Sequence, residues 1–507
     1  MTEEISGAGS SEKKPASIIP HHKVKRAKVK PVNKAENRSL YAAREKIHPK
    51  RAKGTFRTAK WWVMIVTLSI YYITPWLRWD RGEGMPDQAV LVDITNNRFY
   101  FFIIDIWPQE VYYITGLLIL AAVGLFLVTS TLGRVWCGYT CPQTVWVDLF
   151  LVVERFFEGD RNARIKLDKA PWSLSKLTKR SLKHISWIFI AVMTGGAWVF
   201  YFSDAPTLLG QLFEFDAPLT TYFWIALLTC TTYLLGGFAR EQVCTYMCPW
   251  PRIQGVMMDE ETLAVMYRHD RGEPRAPHKK NESWDGRGDC IQCRQCVVVC
   301  PAGIDIRDGM QLECIQCSLC IDACDQVMEK IGRPKGLIAY DSLANFDRRK
   351  QGKTEVTRIV RPRTIAYAMF LIVVGSLMLH SLLNRADLDL NILRDRNPLY
   401  VQLSSGDIRN GYTVKVLNKK HVQRSFSIAV EGLKDYQMRV EGLSTLNGEN
   451  MPIIDVEQNR LRSVKVYISI PQKDLTHHSF DFDFIVKDQN GESFERKTTT
   501  FKGPSSE

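Results

Sequence analysis

Eight cysteines between Asp289 and Asp325 constrain this chain of 507 residues more than any other feature. They form two successive runs, and in each run three cysteines at steps of three residues are followed by a fourth cysteine four residues later. Pro301 follows the last cysteine of the first run, whereas Asp325 follows that of the second. The runs consist of Cys290, Cys293, Cys296, Cys300, Cys314, Cys317, Cys320 and Cys324.

This spacing is typical of domains that hold two 4Fe–4S clusters, in which each run supplies three ligands to one cluster and one ligand to the other. Zinc sites use paired cysteines more often than triplets, and disulfides require an oxidising compartment. The spacing therefore favours iron–sulfur clusters over both alternatives. The predicted ligands are Cys290, Cys293, Cys296 and Cys324 for the first cluster, and Cys300, Cys314, Cys317 and Cys320 for the second.

Basic residues give the chain a formal net charge of +13. A charge of this size suits either a nucleic-acid-binding protein or a membrane protein with basic cytoplasmic loops. Sixteen of the Lys and Arg residues lie in residues 1–60, which show no signal-peptide pattern. We predict that residues 1–60 form a disordered cytoplasmic tail beside an anionic membrane surface, and we expect no nucleic acid as a partner.

Five apolar segments interrupt the polar parts of the chain, and each approaches or exceeds the about 17 to 25 residues that a membrane-spanning helix needs. Tryptophan and tyrosine residues lie near their ends, as they do at membrane surfaces. Buried core helices are the alternative, but five such segments in an otherwise polar chain disfavour it. We predict a five-helix transmembrane bundle with spans at residues 61–77, 111–132, 185–202, 222–238 and 365–383.

The distribution of Lys and Arg predicts the orientation, because these residues accumulate on the cytoplasmic side of a membrane. Sixteen precede the first span, and the four segments between spans carry three, ten, none and twenty in chain order. This alternation predicts a cytoplasmic N-terminus, a cytoplasmic cluster region at residues 256–363 and a periplasmic C-terminus. Reduced cysteines in the cluster region suit the same assignment.

Residues 385–507 contain no cysteine and show short runs in which polar and apolar residues alternate. This period is typical of half-buried strands, and the dipeptides Asn410-Gly411 and Asn490-Gly491 are typical of turns between them. We predict an all-β, immunoglobulin-like sandwich, which is the simplest fold for such a domain. The predicted strands lie at residues 413–417, 425–430, 464–470, 480–486 and 494–501.

Two further cysteine pairs stand where the second and fourth predicted spans reach the cytoplasm. Each pair reads Cys-x-x-x-Cys-Pro after an arginine, and the equivalent cysteines are 107 positions apart. This repeat predicts an internal duplication that places the pairs side by side about a pseudo-twofold axis. The pairs are Cys137 with Cys141 and Cys244 with Cys248.

The proline after each pair favours the first turn of a helix, where the helix dipole lowers the pKa of a thiol. Four converging thiolates suit Cu(I), a further metal cluster or a redox-active dithiol. Buried structural cysteines are the alternative interpretation of the pairs.

Several other residues are predicted to have structural roles. We expect Cys230 to be a buried cysteine, and we expect His184 and His380 to pack at the membrane surface rather than to bind haem or copper. The acids Asp148, Glu154 and Asp259 are expected to pair with Arg155, Arg252 or Arg134 rather than to relay protons.

The order of these parts resembles the CcoG family, also called FixG or RdxA, over nearly the whole chain. Members of that family are cytochrome c oxidase accessory proteins of the bacterial inner membrane. The resemblance implies reduction of Cu(II) to Cu(I) for assembly of cbb-type haem–copper oxidases, with two 4Fe–4S clusters as cofactors. It implies that copper binds to catalytic residues Cys137, Cys141, Cys244 and Cys248.

The resemblance also implies partners, namely the membrane, a cytoplasmic electron donor, copper chaperones or transporters, oxidase assembly factors and a second copy of the chain. A quinol dehydrogenase resembling the NapH and NosR groups is the second interpretation, although the chain has no Cys-x-x-Cys-His haem motif. A copper-binding scaffold without enzymatic activity is the third. The predicted regions are the tail (1–60), helices one to four (61–255), the two-cluster domain (256–363), helix five (364–384) and the periplasmic domain (385–507).

Overall fold

The computed structural model describes residues 26–32, 45–82, 85–278, 283–442, 451–475, 477–491 and 493–504. The chain divides into two compact units. All thirteen cysteines belong to the first unit, which ends at Ser376. The second unit comprises Arg81–Met85 and Leu377–Glu507.

The described part of the predicted tail is ordered against the cluster domain, so the prediction of disorder is wrong for these residues. The backbone N–H of Val32 donates to the carbonyl of Gly303 (2.8 Å), and that of Lys50 donates to the carbonyl of Val298 (3.0 Å). Ile47 is buried. Charged residues outnumber apolar ones in this segment, but some of its few apolar side chains are buried and some of its backbone N–H groups donate hydrogen bonds to the cluster domain. Residues 1–25 and 33–44 of the predicted tail lie outside the described residues.

Helices form most of the first unit. They are α1 (Thr55–Ile73), α2 (Tyr112–Leu132), α3 (Val135–Tyr139), α4 (Pro142–Glu158), α5 (Arg161–Lys169), α6 (Leu174–Val199), α7 (Ala205–Glu214), α8 (Leu219–Thr232), α9 (Trp250–Met257), α10 (His269–Gly272), α11 (Gln295–Val299), α12 (Leu319–Lys330), α13 (Leu343–Lys350) and α14 (Pro362–Leu383). Two π-helical segments, which we call π1 (Tyr233–Ala239) and π2 (Val243–Met247), continue the chain between α8 and α9.

Four helices within the described residues are long and apolar enough to cross a membrane, and they match four of the five predicted spans. The helix α1 is not among them, because Arg57 and Lys60 lie in its first two turns. The five-helix count therefore stays a prediction. The four candidate spans are Pro108–Leu132, Leu174–Val199, Leu219–Ala239 and Pro362–Leu383.

The cysteine runs fold around a small apolar core, with α11 and α12 each beginning inside a run. A two-stranded antiparallel sheet of β4 (Ala264–Tyr267) and β5 (Ile338–Asp341) covers this core. A separate three-stranded sheet precedes α2 and consists of β1 (Val90–Asp93), β2 (Arg98–Phe101) and β3 (Ile104–Ile106).

The second unit contains two antiparallel sheets. All five predicted strands are present, because alternating side chains such as Tyr412, Val414 and Val416 are fully buried. The strands are β6 (Leu388–Arg394), β7 (Val401–Gln402), β8 (Ile408–Asn418), β9 (Arg424–Glu431), β10 (Gln437–Val440), β11 (Ile453–Val456), β12 (Arg460–Ile470), β13 (Ser479–Asp488) and β14 (Phe494–Lys502). One sheet has the order β10-β12-β8-β6 with β7 on β8, and the other has the order β11-β9-β13-β14.

The predicted turn at Asn410-Gly411 is wrong, because both residues lie inside β8. Asn410 pairs with Ile468 of β12 and is buried. Its side-chain amide donates to the carbonyl of Lys502 (2.8 Å), and its side-chain oxygen accepts from the backbone N–H of the same residue (3.1 Å). Asn410 therefore links one sheet to the last strand of the other, which is a tertiary role that a dipeptide signal does not reveal.

Candidate metal centres

Each predicted set of cluster ligands surrounds its own cavity. Cys290, Cys293, Cys296 and Cys324 line a cavity with about 340 Å³ of atom-free space. A second cavity, with about 380 Å³, is lined by Cys300, Cys314, Cys317 and Cys320. Cys296 lines both cavities, so the two sites are adjacent. In each cavity three cysteines of one run meet the fourth cysteine of the other.

The backbone turns identically around the middle cysteine of each run. Gln292 and Arg294 flank Cys293 with φ angles of 52° and 57°. The equivalent residues in the second run, Gln316 and Ser318, have φ angles of 53° and 62°. Non-glycine residues seldom adopt this left-handed region, so the loop curls more tightly than an ordinary turn. The curl brings successive thiols of a run to one cavity.

The chemistry of both cavities fits a 4Fe–4S cluster. Burial raises the pKa of Cys300 to about 12 and that of Cys314 to about 11, so these thiols hold their protons until a metal displaces them. The guanidinium of Arg307 lines the first cavity and is held by Asp305 through two bonds of 2.8 and 2.6 Å. Four converging thiols suit a cluster in each cavity, and in the first cavity the fixed cation favours its negative charge.

The two Cys-x-x-x-Cys-Pro pairs also converge, as the repeat predicts. Burial is the main cause that raises the pKa of Cys244 to about 12, and the nearby Cys141 and Cys137 raise it further. The pKa of Cys137 rises to about 12 for the same reason, with contributions from Cys141 and Cys248. The prediction that helix ends lower these pKa values is therefore wrong for Cys137 and Cys244, because burial outweighs the dipole.

The prolines occupy the predicted helix starts. Cys141 caps α4 with Pro142 in its first turn, and Pro249 caps α9 directly after Cys248. Within the described residues, no three His, Cys, Asp or Glu side chains lie close enough together to hold a single metal ion. In this geometry a single ion at these thiols would therefore have at most two such ligands among the described residues.

Gln254 is a neighbour of the pairs that the sequence did not reveal. The thiol of Cys137 donates to its Oε1 (3.0 Å), and its Nε2 donates to Oγ1 of Thr129 in α2 (3.2 Å). Gln254 is fully buried. A lone glutamine after the second pair has no motif of its own, so only the fold places it beside the first pair.

The loop inside the first pair packs directly on the second cysteine run. A Cβ atom on Gly138 would lie 2.7 Å from the carbonyl oxygen of Ile315, 2.8 Å from that of Gln316 and 3.0 Å from Cα of Cys317. These neighbours are backbone atoms that a larger side chain could not displace cheaply. Glycine at position 138 therefore permits the contact between the first pair and the second cluster site.

Arg134 fixes the same contact from the end of α2. Its backbone N–H donates to Oε1 of Gln316 (2.8 Å), and its Nη1 donates to the carbonyl of Leu312 (2.5 Å). Its Nη2 donates to the carbonyl of Pro251 in α9, just after the second pair (2.6 Å). Arg134 thus joins the second cysteine run to both pairs.

Comparison with known proteins finds relatives along most of the chain. The chain is 51% identical over 486 residues to the nitrogen fixation protein FixG of Rhizobium meliloti. This alignment covers 90% of this chain and 93% of the relative. The chain belongs to the FixG family. It is also 53% identical over 434 residues to protein RdxB and 51% identical over 436 residues to protein RdxA, both of Cereibacter sphaeroides. These matches cover 85% of this chain and 90% and 91% of the respective relatives.

Sequence families match three parts of this FixG-family chain. A 4Fe-4S dicluster domain matches residues 239–343, a 4Fe-4S binding domain matches residues 114–158, and the IG-like fold at the C-terminus of FixG matches residues 378–504. A crystal structure of a FixG-related protein from Vibrio parahaemolyticus covers 23% of this chain and 96% of that protein, with 21% identity and a TM-score of 0.20. The chain is an iron–sulfur electron-transfer protein with an immunoglobulin-like C-terminal domain.

The acids of the FixG-family chain form ion pairs as predicted, but not with the predicted arginines. Asp148 accepts from Nη1 of Arg57 in α1 (2.8 Å), and Asp259 pairs with Arg361. Their partners come from distant segments, which neighbouring arginines in the sequence do not indicate. These pairs support the structural role that was predicted for the acids.

Glu154 is the most enclosed of these acids. Its side chain is fully buried between Arg164 (2.8 Å), Arg240 (3.1 Å) and Lys183 (4.0 Å). Burial alone would raise the pKa of Glu154, but Arg240, Arg164 and Lys183 outweigh it and lower that pKa to about 2. The carboxylate therefore joins α4 to α5, α6 and the end of π1.

We expect Glu154→Gln to lower the free energy of unfolding by about 3–5 kcal/mol, because removing one partner leaves buried cations uncompensated. Since the folded pKa is about 2 and the ordinary value is 4.5, the stabilisation is complete above pH 4.5 and is lost as the pH falls toward 2. Thermal unfolding in detergent measures both effects. The control is Glu457→Gln, whose partner Arg460 is exposed, and equal unfolding temperatures for the two variants would contradict the prediction.

His184, His380 and Cys230 contact other parts of the chain or its surroundings, as follows from their positions on α6, α14 and α8. Nδ1 of His184 lies 3.0 Å from the hydroxyl of Tyr233, and its ring stacks on Phe238 with centroids 5.9 Å apart. His380 contacts Asn384 one turn later in α14. Cys230 is exposed on α8, so the prediction that it is buried is wrong. An apolar face that meets lipid accepts cysteine as readily as a protein core does.

Proposed function

We propose that this chain is a membrane-bound cupric reductase that supplies Cu(I) for assembly of a cbb-type cytochrome c oxidase. The observation that carries the proposal is the contact of Gly138 with the backbone at Ile315–Cys317, because it joins a set of four converging thiols to a set of cluster ligands. A redox protein needs its electron store beside the place where its substrate binds. The FixG-family membership supports the iron–sulfur part of this proposal.

The cysteine residues have two different tasks in the proposed reaction. Cys290, Cys293, Cys296 and Cys324, and Cys300, Cys314, Cys317 and Cys320, would hold the two 4Fe–4S clusters, which supply single electrons when bound. Cys137, Cys141, Cys244 and Cys248 would bind the substrate copper. Thiolates prefer soft Cu(I), so copper binding and reduction favour one another.

Thiol protonation adds a further requirement. Because the pKa values of Cys137 and Cys244 are raised to about 12, these thiols lose protons only as copper binds. Gln254 accepts the hydrogen bond from Cys137 and so orients its sulfur.

The location and partners belong to the same proposal. Five membrane helices, a cytoplasmic N-terminus and cluster domain, and a periplasmic C-terminal domain agree with the distribution of basic residues. The exposed apolar side chains of α1, among them Trp62, Val66 and Ile70, favour α1 as the fifth span. Copper chaperones or transporters, oxidase assembly factors, a cytoplasmic electron donor and a second copy of the chain are the proposed partners.

A second candidate function has one observation in its favour. The match to a 4Fe-4S binding domain over residues 114–158 includes Cys137 and Cys141. The four paired cysteines would then hold a third cluster, as in an electron-transfer protein of the quinol-dehydrogenase type.

Metal analysis of anaerobically purified protein separates the two functions. The cupric reductase is expected to contain about eight irons per chain and to bind added copper at the paired cysteines. About twelve irons per chain, with no copper binding, would instead support the third cluster.

A further inference from the structure

A cavity that opens to solvent lies among α1, α4, π2 and the cysteine runs, with about 760 Å³ of atom-free space including its open mouth. Apolar side chains form much of its wall, including Val147 and Leu151 of α4 and Leu319 of α12. Polar residues make up about half of the lining, and seven of them are charged, but most of the exposed wall area is apolar. Cavities with a mainly apolar wall and placed polar groups are the usual form of a binding site for an organic molecule.

The position of this cavity connects it to both redox sites. Cys244 of the second pair lines it. Pro301, Ala302 and Ile315 line it as well, and the same three residues line the cavity of the second cluster ligands. A molecule in this cavity would therefore lie beside Cys244 of the second pair and be separated from the second cluster site by these shared wall residues.

Arg57 gives the cavity an unused hydrogen-bonding capacity. Its guanidinium is nine-tenths or more buried, and Nη1 donates to both oxygens of Asp148 at 2.8 Å. Nε and Nη2 are buried and have no hydrogen-bond partner. A buried donor without a partner costs about 1–3 kcal/mol, so an oxygen atom of a ligand would bind favourably there.

The charges around the cavity favour a neutral ligand. The lining carries three acids, Asp148, Glu241 and Glu313, against four cations, Arg57, Lys60, Arg155 and Arg240, so its charges nearly cancel. Asp148 lies 2.8 Å from Arg57 and 3.8 Å from Lys60. Because acids already neutralise these cations, an anionic ligand would gain little. A neutral molecule with an apolar body and an acceptor oxygen matches the cavity better.

We infer that this cavity binds the head group of a lipid-soluble quinol. Its oxygen would accept from Arg57, and its ring would lie against Val147 and Leu151. The inference rests on the proposed function for the fate of the electrons, and it puts the quinol in place of the cytoplasmic donor proposed there: one quinol and two Cu(II) give one quinone, two Cu(I) and two protons. The quinol loses two electrons, each copper ion gains one electron, and the two protons are released to water.

Quinone binding to the oxidised, cluster-containing protein tests the inference without requiring turnover. The probe is a decyl benzoquinone, titrated calorimetrically in detergent. We expect Val147→Trp, which fills the cavity, to weaken binding at least about tenfold. Val152→Trp is the matched control, because Val152 lies on the same helix and does not line the cavity.

A second variant tests the hydrogen bond itself. Arg57→Lys keeps a positive charge beside Asp148 but removes the two unpaired nitrogens, so it is expected to weaken quinone binding while the iron content stays that of the wild type. Its quinone affinity also tests the inference if Val147→Trp does not fold. Absence of binding to the wild-type protein, or equal affinities for wild type, Val147→Trp and Arg57→Lys, would overturn the inference.

The source of electrons separates this inference from the proposed function. When the clusters are first reduced with dithionite and the excess is removed, Val147→Trp is expected to reduce Cu(II) like the wild type. With the quinol as the only reductant, it is expected to lose that activity. A wild-type protein that reduces Cu(II) from pre-reduced clusters but not with the quinol would overturn only the inference.

Discussion

Simultaneous replacement of Cys137, Cys141, Cys244 and Cys248 by serine is expected to abolish Cu(II) reduction and to leave about eight irons per chain. The serine oxygen is a hard ligand that does not favour Cu(I), whereas both sets of cluster cysteines stay intact. The measurement compares Cu(I) formation, trapped by a Cu(I)-specific chelator, with the iron content of the same sample. The loss should be at least about a hundredfold, or about 2.7 kcal/mol in transition-state stabilisation.

The matched control for this variant is Cys230→Ser, which changes the one cysteine outside the runs and pairs. It is expected to keep both copper reduction and iron content. Copper reduction that survives in the quadruple variant would contradict the assignment of these four cysteines. Loss of iron from the quadruple variant would show that they hold a cluster.

Replacement of Gly138 by alanine is expected to slow the copper-dependent oxidation of the reduced protein at least about tenfold, with iron content unchanged. The added Cβ would lie 2.7 Å from the carbonyl oxygen of Ile315 and 3.0 Å from Cα of Cys317, so the loop of the first pair must move away from the second cluster site. Stopped-flow absorbance of the clusters after mixing with Cu(II) measures the rate.

Gly196→Ala is the control for this second variant, because no atom lies within 4 Å of the added carbon at that position. It is expected to react like the wild type. A normal oxidation rate in Gly138→Ala would show that the contact with Ile315 is not needed for electron transfer. Normal copper binding together with a slowed oxidation rate in Gly138→Ala would distinguish a positioning role from a general loss of structure.

The cysteine pattern predicted more of the site than any other signal. Ligand spacing is set by cluster geometry, so a run such as Cys290 to Cys300 has meaning without its surroundings. The alternation in β8, β9 and β12 was equally informative, because side chains on one face must be buried. Both patterns involve residues that are close in sequence, so they can be interpreted without knowledge of the tertiary structure.

Long-range contacts limited the rest of the prediction. Glu154 meets Arg240 across 86 positions, and Gln254 meets Cys137 across 117. No local signal names such partners. The pKa of Cys137 shows the same limit, since the helix start was predictable from Pro142 but the depth of burial was not.

The internal duplication predicts some features of the two cysteine pairs but not others. The cysteines of the two halves are equivalent, but Thr245 stands where the first half has Gly138. Arg134 contacts the second cysteine run, whereas Glu241 stands at its equivalent position and the neighbouring Arg240 donates to the carbonyl of Gly237 at 2.7 Å. The repeat therefore predicted the convergence of the pairs but not which pair contacts the cluster domain.

A single-turnover titration tests the central claim most directly. Protein reduced with dithionite and freed of excess reductant is mixed anaerobically with Cu(II), and the cluster absorbance and trapped Cu(I) are followed together. The account predicts about two Cu(I) per chain, formed in step with oxidation of both clusters and absent from the quadruple serine variant. Copper that binds without forming Cu(I), with the clusters still reduced, would contradict it.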